Sequence, residues 1–134
     1  MMRLRSHFAL VAAGMLGLAA LGVPQAGVAA EPGSREAIDQ AAAVNTELAL
    51  AYMREGNLKA AREKIDKALQ QDARTANTQM AAGFVYDKLG DKKKALSHFE
   101  QAVKLGGKDN PDVVANAAVY FCMNGEPKRG EQYM

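Results

Sequence analysis

The stretch NTELALAYMREGNLKAAREKIDKA, residues 45–68, returns in altered form as QMAAGFVYDKLGDKKKALSHFEQA at residues 79–102. The two copies stand 34 residues apart, and this offset pairs Tyr52 with Tyr86. Three other identical pairs are glycine or alanine, and such small residues let helices approach closely. These pairs are Gly56 with Gly90, Ala61 with Ala95, and Ala68 with Ala102. A period of this length indicates a repeat architecture.

A third, incomplete copy follows one residue out of phase. Phe121 and Gly125 stand 35 residues beyond Tyr86 and Gly90. We expect the loop at residues 106–111 to absorb the extra residue. About two and a half repeats are therefore visible.

Each repeat is predicted to form two helices. Apolar residues of the first repeat recur with helical spacing as far as Gly56, where glycine can adopt the left-handed turn that ends a helix. Asn110 before Pro111 supplies a cap and a preset first turn for the last inner helix, which should end near residues 124–125. The other predicted helices span about 58–71, 75–89 and 92–105.

The period and its small-and-aromatic pattern resemble the signature of tetratricopeptide repeats. Because one such unit cannot bury its apolar face alone, successive hairpins must stack on each other. We therefore predict an all-α fold, a short right-handed solenoid of about two and a half tetratricopeptide-repeat hairpins with one concave wall. The predicted boundaries are 31–41 for a linker and the start of the first helix, then 42–75, 76–110 and a truncated 111–134.

Residues 1–30 are typical of a secretory signal peptide. Two arginines precede the uncharged apolar run Phe8–Leu21, and Val28 and Ala30 are residues that a signal peptidase accepts. We predict export with cleavage after Ala30. A retained membrane anchor is the alternative, but the run is shorter than the roughly 18 to 20 residues that span a bilayer, and Pro24 follows it.

Charge and cysteine content exclude several classes of function. Cleavage removes two of the 17 Lys and Arg residues and leaves 15 against 15 Asp and Glu, so the mature chain is neutral. Nucleic acid is not an expected partner, because its binding calls for a basic surplus. The single Cys122 cannot form a disulfide framework. It has no neighbouring base in sequence to activate its thiol, so a packing or wall role is favoured over a redox role.

No catalytic, metal-binding or phosphate-binding motif stands out after residue 30. His98 precedes Phe99 on an outer helix and is expected to face solvent. The run at 92–94 resembles a solvated helix start, since no aromatic residues are interleaved with its lysines. Residues 109–112 lack the glycine and distal glutamate of a calcium loop. We predict a protein that is not an enzyme and has no metal, cofactor or small-molecule substrate.

Function is expected on the concave wall, which inner helices line at fixed repeat positions in tetratricopeptide proteins. The centre of this wall is apolar and rich in methionine, which suits the helix or extended segment of a protein partner. In the alternative interpretation, part of the strip packs against the flanking segment 35–43. The predicted binding residues are Thr46, Leu50, Met53, Met80, Phe84, Val119, Cys122 and Met123.

Two stretches carry a more specific likeness, residues 45–52 and the run from Asn110-Pro111-Asp112 to Phe121-Cys122. With the signal peptide, they resemble the type IV pilus biogenesis and stability family, the pilotins. The resemblance implies a periplasmic scaffold that helps the pilus secretin reach the outer membrane and multimerise, with peripheral membrane association through its partner. Members are commonly lipoproteins, whereas no lipid-accepting cysteine follows the apolar run here. The alternative is a periplasmic adaptor of another envelope or secretion assembly.

The last repeat has a short second helix, predicted over about 128–134. Gly130 stands in it where the earlier repeats have Ala61 and Ala95. Such a helix is below the length at which isolated helices hold. We expect the third repeat to fray or to be covered by another chain, while residues 42–105 stay folded.

Overall fold

The computed structural model describes residues 31–134, without the side chain of Lys108. The predicted signal peptide, residues 1–30, lies outside the described residues. The described part is helical and contains no strand. Its helices are α1 (Arg35–Arg54), α2 (Leu58–Gln71), α3 (Ala76–Lys88), α4 (Lys92–Gly106), α5 (Pro111–Met123) and α6 (Pro127–Glu131), with a 3-10 turn at Gly107–Asp109.

The six helices pair as three hairpins, α1 with α2, α3 with α4 and α5 with α6, which confirms the predicted fold class. The same turn joins each pair. Gly56, Gly90 and Gly125 have φ values of +78°, +82° and +84°, a region that favours glycine. The amide of Asn57 donates to the carbonyl of Tyr52, five residues earlier, and the two other turns repeat this bond. One local geometry therefore recurs at the repeat period.

Side-chain caps fix where the helices begin. Asn57 and Asp91 accept hydrogen bonds from backbone amides three residues on, and Asn110 does the same before Pro111. Ser34 caps α1 in the same way, so the first helix already occupies 35–41 of the segment predicted as a linker and helix start. The predicted span 58–71 agrees with α2, and the spans predicted for α3 to α5 differ from the observed ones by one or two residues.

The core is built from one large residue per hairpin surrounded by alanines. Ile65 and Phe99 occupy equivalent positions in α2 and α4, and both are fully buried. Phe121 is the fully buried aromatic residue of the third hairpin. The packed layers are continuous because α2 contacts α3 and α4 contacts α5. The alanines Ala49, Ala61, Ala68, Ala82, Ala95, Ala102, Ala117 and Ala118 are fully buried between these layers.

The third hairpin is closed by a close approach of α6 to α5. A Cβ atom added to Gly130 would lie 2.3 Å from Cys122 Sγ and 2.8 Å from the carbonyl oxygen of Ala118. Gly130 therefore lets the α6 backbone itself cover Ala118. Tyr133 packs on Phe121 with ring centroids 5.7 Å apart, as its place at the end of the last helix suggested.

The expectation that His98 faces solvent is wrong. Its ring is half-buried and stacks on Tyr86 with centroids 5.3 Å apart, and Nδ1 lies 2.7 Å from Gln79 Oε1. The physical reason is that α4 packs against α3 along one side and α5 along another, so its buried arc is wider than the stripe that contains Phe99.

No helix within residues 31–134 combines the length and the apolarity that a bilayer crossing requires.

Candidate protein-binding groove

The first helices of the three hairpins lie side by side and form one wall. Helix α3 is central, since it contacts both α1 and α5. All eight residues predicted to bind a partner lie on these three helices, and we call the face that carries these eight residues the concave wall. They differ in how far they reach the surface.

Two of the eight are buried and unavailable to a partner. Thr46 is 5% exposed and Met80 is 7% exposed. Thr46 Oγ1 lies 3.1 Å from Thr78 Oγ1 and donates to the carbonyl of Ala42 at 2.8 Å. These contacts place Thr46 in the seam between α1 and α3, with its hydroxyl turned toward Thr78 and the backbone of its own helix.

Three further residues form the half-buried floor of the wall. Leu50, Met53 and Phe84 pack against the core and keep part of their surface open. Phe84 meets Phe99 edge to face, with centroids 5.1 Å apart and rings at 82°. This contact fixes the aromatic ring that lies at the middle of the wall.

The most exposed apolar side chains of the wall belong to α5. Val119 is 55% exposed and Met123 is 79% exposed, and Cys122 is exposed beside them. Val119 is the repeat equivalent of Leu50 and Phe84. The open part of the predicted site is therefore its α5 side.

The alternative in which segment 35–43 covers the strip is wrong. Residues 35–43 form the first half of α1, the same unbroken helix that carries Leu50 and Met53. A continuous helix cannot turn back over its own later residues. Within residues 31–134, no second segment lies across the wall.

A carboxylate on the wall ties the second and third hairpins together. Asp87 Oδ1 accepts a hydrogen bond from the hydroxyl of Tyr120 at 2.7 Å, and Lys92 pairs with the same oxygen. Partial burial acts to raise the pKa of Asp87, but the hydrogen bonds from Lys92 and Tyr120 outweigh it and hold that pKa below its ordinary value. Burial and the neighbouring carboxylate raise the pKa of Tyr120. The sequence gives no sign of this bond, since nothing in it marks Tyr120 as a donor.

A second polar cluster lies between α2, α3 and α4. Gln79 Nε2 donates to the carbonyl of Ala73 at 2.7 Å, so Gln79 Oε1 faces His98 and Nδ1 of His98 carries the proton. Burial and then the charge of Lys94 lower the pKa of His98 below its ordinary value. Burial and the bond from Tyr86 to the Asp66 carboxylate raise the pKa of Tyr86 to about 12.

These clusters organise packing and do not resemble a reactive centre. In residues 31–134, no group of three or more His, Cys, Asp or Glu side chains is placed to hold a metal ion. Every buried side-chain nitrogen and oxygen of that part of the chain has a hydrogen-bond partner. What the concave wall offers is apolar surface with a fixed aromatic floor.

Comparison with known proteins identifies the repeat. Residues 40–106, half of the chain, match the tetratricopeptide-repeat family model. A protein of Haemophilus influenzae (strain KW20 Rd), described only as uncharacterized, is 32% identical over 92 residues. That match covers 69% of this chain and 51% of the relative, so the chain spans about half the length of the relative it matches. By the family match, the 34-residue period and the three stacked hairpins, the chain belongs to the tetratricopeptide-repeat family.

Proposed function

We propose that this protein is a non-catalytic scaffold that binds a segment of another protein on its concave wall. Tetratricopeptide repeats are protein-interaction modules, and the observation that carries the proposal is the exposure of Val119 and Met123 on α5, the helix that contacts α3 with its half-buried Phe84. Surface methionines adapt to partners of different shape. Fully burying one such side chain in an interface contributes about 1.5 to 3 kcal/mol.

The chemistry of the wall indicates an apolar partner segment. The carboxylate of Asp87 on the wall already has partners within the protein, because it is paired with Lys92 and accepts a hydrogen bond from Tyr120. The open residues Val119 and Met123 have no charge to offer. A helix or extended strand with two or three large apolar side chains fits such a strip better than a terminal carboxylate would.

The more specific form of the proposal is a periplasmic role in pilus assembly. The predicted signal peptide at 1–30 supports export, and the likeness of residues 45–52 and 110–122 to the pilotin family supports a pilus secretin as partner. In this form the protein meets the outer membrane only through that partner. A periplasmic adaptor of another envelope assembly is the second candidate, which the same wall would serve.

Site-specific photocrosslinking tests the proposed partner. A photoreactive amino acid replaces Met123 in the full chain expressed in its own cells, and a second variant has it at Val44, which is 58% exposed on α1 outside the wall. We expect a crosslink to the secretin at 123 and none at 44. A crosslink to another envelope protein at 123 alone favours the second candidate. Equal crosslinking at both positions contradicts the proposed binding surface.

Export has its own test. Amino-terminal sequencing of the protein from the envelope fraction should begin at Glu31, since the predicted cleavage follows Ala30. A chain that retains residues 1–30 in that fraction contradicts cleavage and favours an anchored protein.

A further inference from the structure

A polar cavity lies in the seam between α1 and α3, where the loop after α2 reaches it. Its volume is about 320 Å³, near the lower end of the roughly 300 to 1,000 Å³ found for small-ligand pockets. Thr46, one of the eight residues of the concave wall, lines it together with the adjacent Glu47. Leu50, on the floor of the wall, follows Thr46 one helical turn further along α1. The cavity therefore adjoins the apolar floor, and we call it the seam cavity.

Three carboxylates line the seam cavity. They belong to Asp39 and Glu47 on α1 and to Asp72, the residue after α2. Asp39 is paired with Arg35 at 3.2 Å and Asp72 with Arg74 at 3.7 Å, but the two arginine side chains are 63% and 66% exposed. Among the described residues that line the cavity, none is basic. Because exposed ion pairs are screened by water, these pairs offset the negative charge of the lining only in part.

The threonine hydroxyls of the lining add hydrogen-bond acceptors. Thr46 and Thr78 are 5% and 2% exposed, and their oxygens lie 3.1 Å apart. Thr46 donates its single proton to the carbonyl of Ala42, so Thr78 is the donor to Thr46 and has only lone pairs left for another partner. The hydroxyl of Thr75 donates to Asp72 at 2.6 Å. All three hydroxyls thus use their protons within the protein, and what they offer the cavity is acceptor oxygen.

We propose, on the basis of the proposed function, that the seam cavity binds a lysine or arginine side chain of the segment that binds on the concave wall. An ammonium or a guanidinium group carries positive charge and only donors, so it matches a lining of carboxylates and acceptor oxygens. The partner segment is therefore basic where it meets the seam between α1 and α3. It is apolar where it meets Leu50, Phe84 and the open side chains of α5.

Three acetylated and amidated tetrapeptides test this charge preference. Each begins with leucine, serine and leucine, and the last residue is arginine, glutamine or glutamate. They are titrated into residues 31–134 at low salt and followed by backbone amide shifts in NMR. We expect the arginine peptide to bind about fivefold more tightly than the glutamine peptide, as a few partly exposed ion pairs allow. Its shifts should include Thr46 and Thr78, and the glutamate peptide should bind most weakly.

Charge-removing variants show where the preference arises. Glu47→Gln and Asp39→Asn should each reduce the affinity for the arginine peptide and leave that for the glutamine peptide unchanged. Glu63→Gln is the matched control, since Glu63 is exposed on α2 and does not line the cavity. Circular dichroism checks that each variant is folded. A preference for arginine that Glu63→Gln reduces as much as the other two changes would place it outside the seam cavity and overturn the proposal.

Failure of this inference is distinguishable from failure of the proposed function. A partner that crosslinks at position 123, together with equal binding of the three peptides or no binding of the arginine peptide, overturns the basic side chain and leaves the concave wall as the binding surface. Preference for the arginine peptide that depends on Glu47 and Asp39 supports the seam cavity, whatever the crosslinking result at position 123.

Discussion

Tyr120 donates its hydroxyl hydrogen bond to Asp87 across the seam between the second and third hairpins, at 2.7 Å. The ring of Tyr120 also packs on Phe99, with centroids 4.1 Å apart. One residue of α5 therefore contacts both helices of the preceding hairpin. These two contacts hold α5, which carries the exposed Val119 and Met123, against α3, which carries Phe84.

Removing that hydroxyl should destabilise the protein without creating a cavity. Tyr120→Phe keeps the ring and loses a bond to a charged acceptor, so we expect a loss of about 1.5 kcal/mol in the free energy of unfolding. Urea denaturation followed by circular dichroism measures it. Tyr52→Phe is the control, since it also removes a hydroxyl from a tyrosine on an inner helix, half-buried and in the first hairpin. Equal effects of the two changes would show that the bond to Asp87 contributes nothing.

Stability should fall on acidification, in part through His98. Burial and Lys94 lower its pKa below the ordinary 6.5, while Asp66 and Asp91 act in the opposite direction and are outweighed. With the folded pKa depressed, the unfolded chain binds the proton more readily, so the contribution is present above about pH 6.5 and is lost as pH falls through the folded pKa. His98→Phe keeps an aromatic ring and removes the titration. We expect the drop in urea midpoint between pH 7.5 and 5.5 to be smaller in this variant.

The contribution of Asp87 to stability should be lost at a lower pH than that of His98. Its folded pKa is also depressed, so its contribution is present above the unfolded pKa of about 4 and is lost as the pH falls through the folded value. Asp87→Asn should reduce the loss of stability below pH 4. The urea midpoint at pH 5, 4 and 3 checks this, and an unchanged slope in the variant would contradict the assignment.

Gly130→Ala should have two opposing effects on the free energy of unfolding. Alanine favours a helix interior over glycine by about 1 kcal/mol. The added Cβ would lie 2.3 Å from Cys122 Sγ, however, and 2.8 Å from a backbone oxygen that cannot move aside easily. We expect the steric effect to win and the variant to be less stable by about 1 to 3 kcal/mol. A gain in stability would show that α6 can shift outward freely.

Most of the fold could be predicted because the determinants are local. The turn glycine Gly56 and the cap Asn57 are adjacent in sequence, and together they fixed the start of α2. The start of α5 was predictable for the same reason from Asn110 and Pro111. The first helix was less sharply predicted, because Ser34 is a weaker signal without a repeat partner.

The site was predicted less well, since it depends on distances between helices. Thr46 and Met80 have suitable repeat positions, but the close approach of α1 and α3 buries both. The exposure of Val119 and the burial of His98 depend in the same way on which helix lies beside them. A repeat pattern gives the position of a residue on its helix, but it does not give the distance between neighbouring helices.

The third hairpin is expected to open more readily than the second. Helix α6 has five residues, and Met134 after it is 83% exposed. Amides of residues 112–134 should exchange with solvent faster than those of 76–105 in hydrogen exchange on a monomeric sample of residues 31–134. Equal protection of the two ranges would contradict this expectation.

The most direct test of partner binding on the concave wall compares two valine variants of residues 31–134 in their affinity for the protein found by crosslinking. Val119 is 55% exposed on the concave wall and Val44 is 58% exposed outside it, so Val119→Asp and Val44→Asp place the same charge on equally open helix surface. If the partner binds on the concave wall, Val119→Asp should weaken binding at least tenfold and Val44→Asp should leave it unchanged. Both variants should retain the wild-type circular dichroism spectrum. Equal affinities of the two variants would contradict binding on the concave wall.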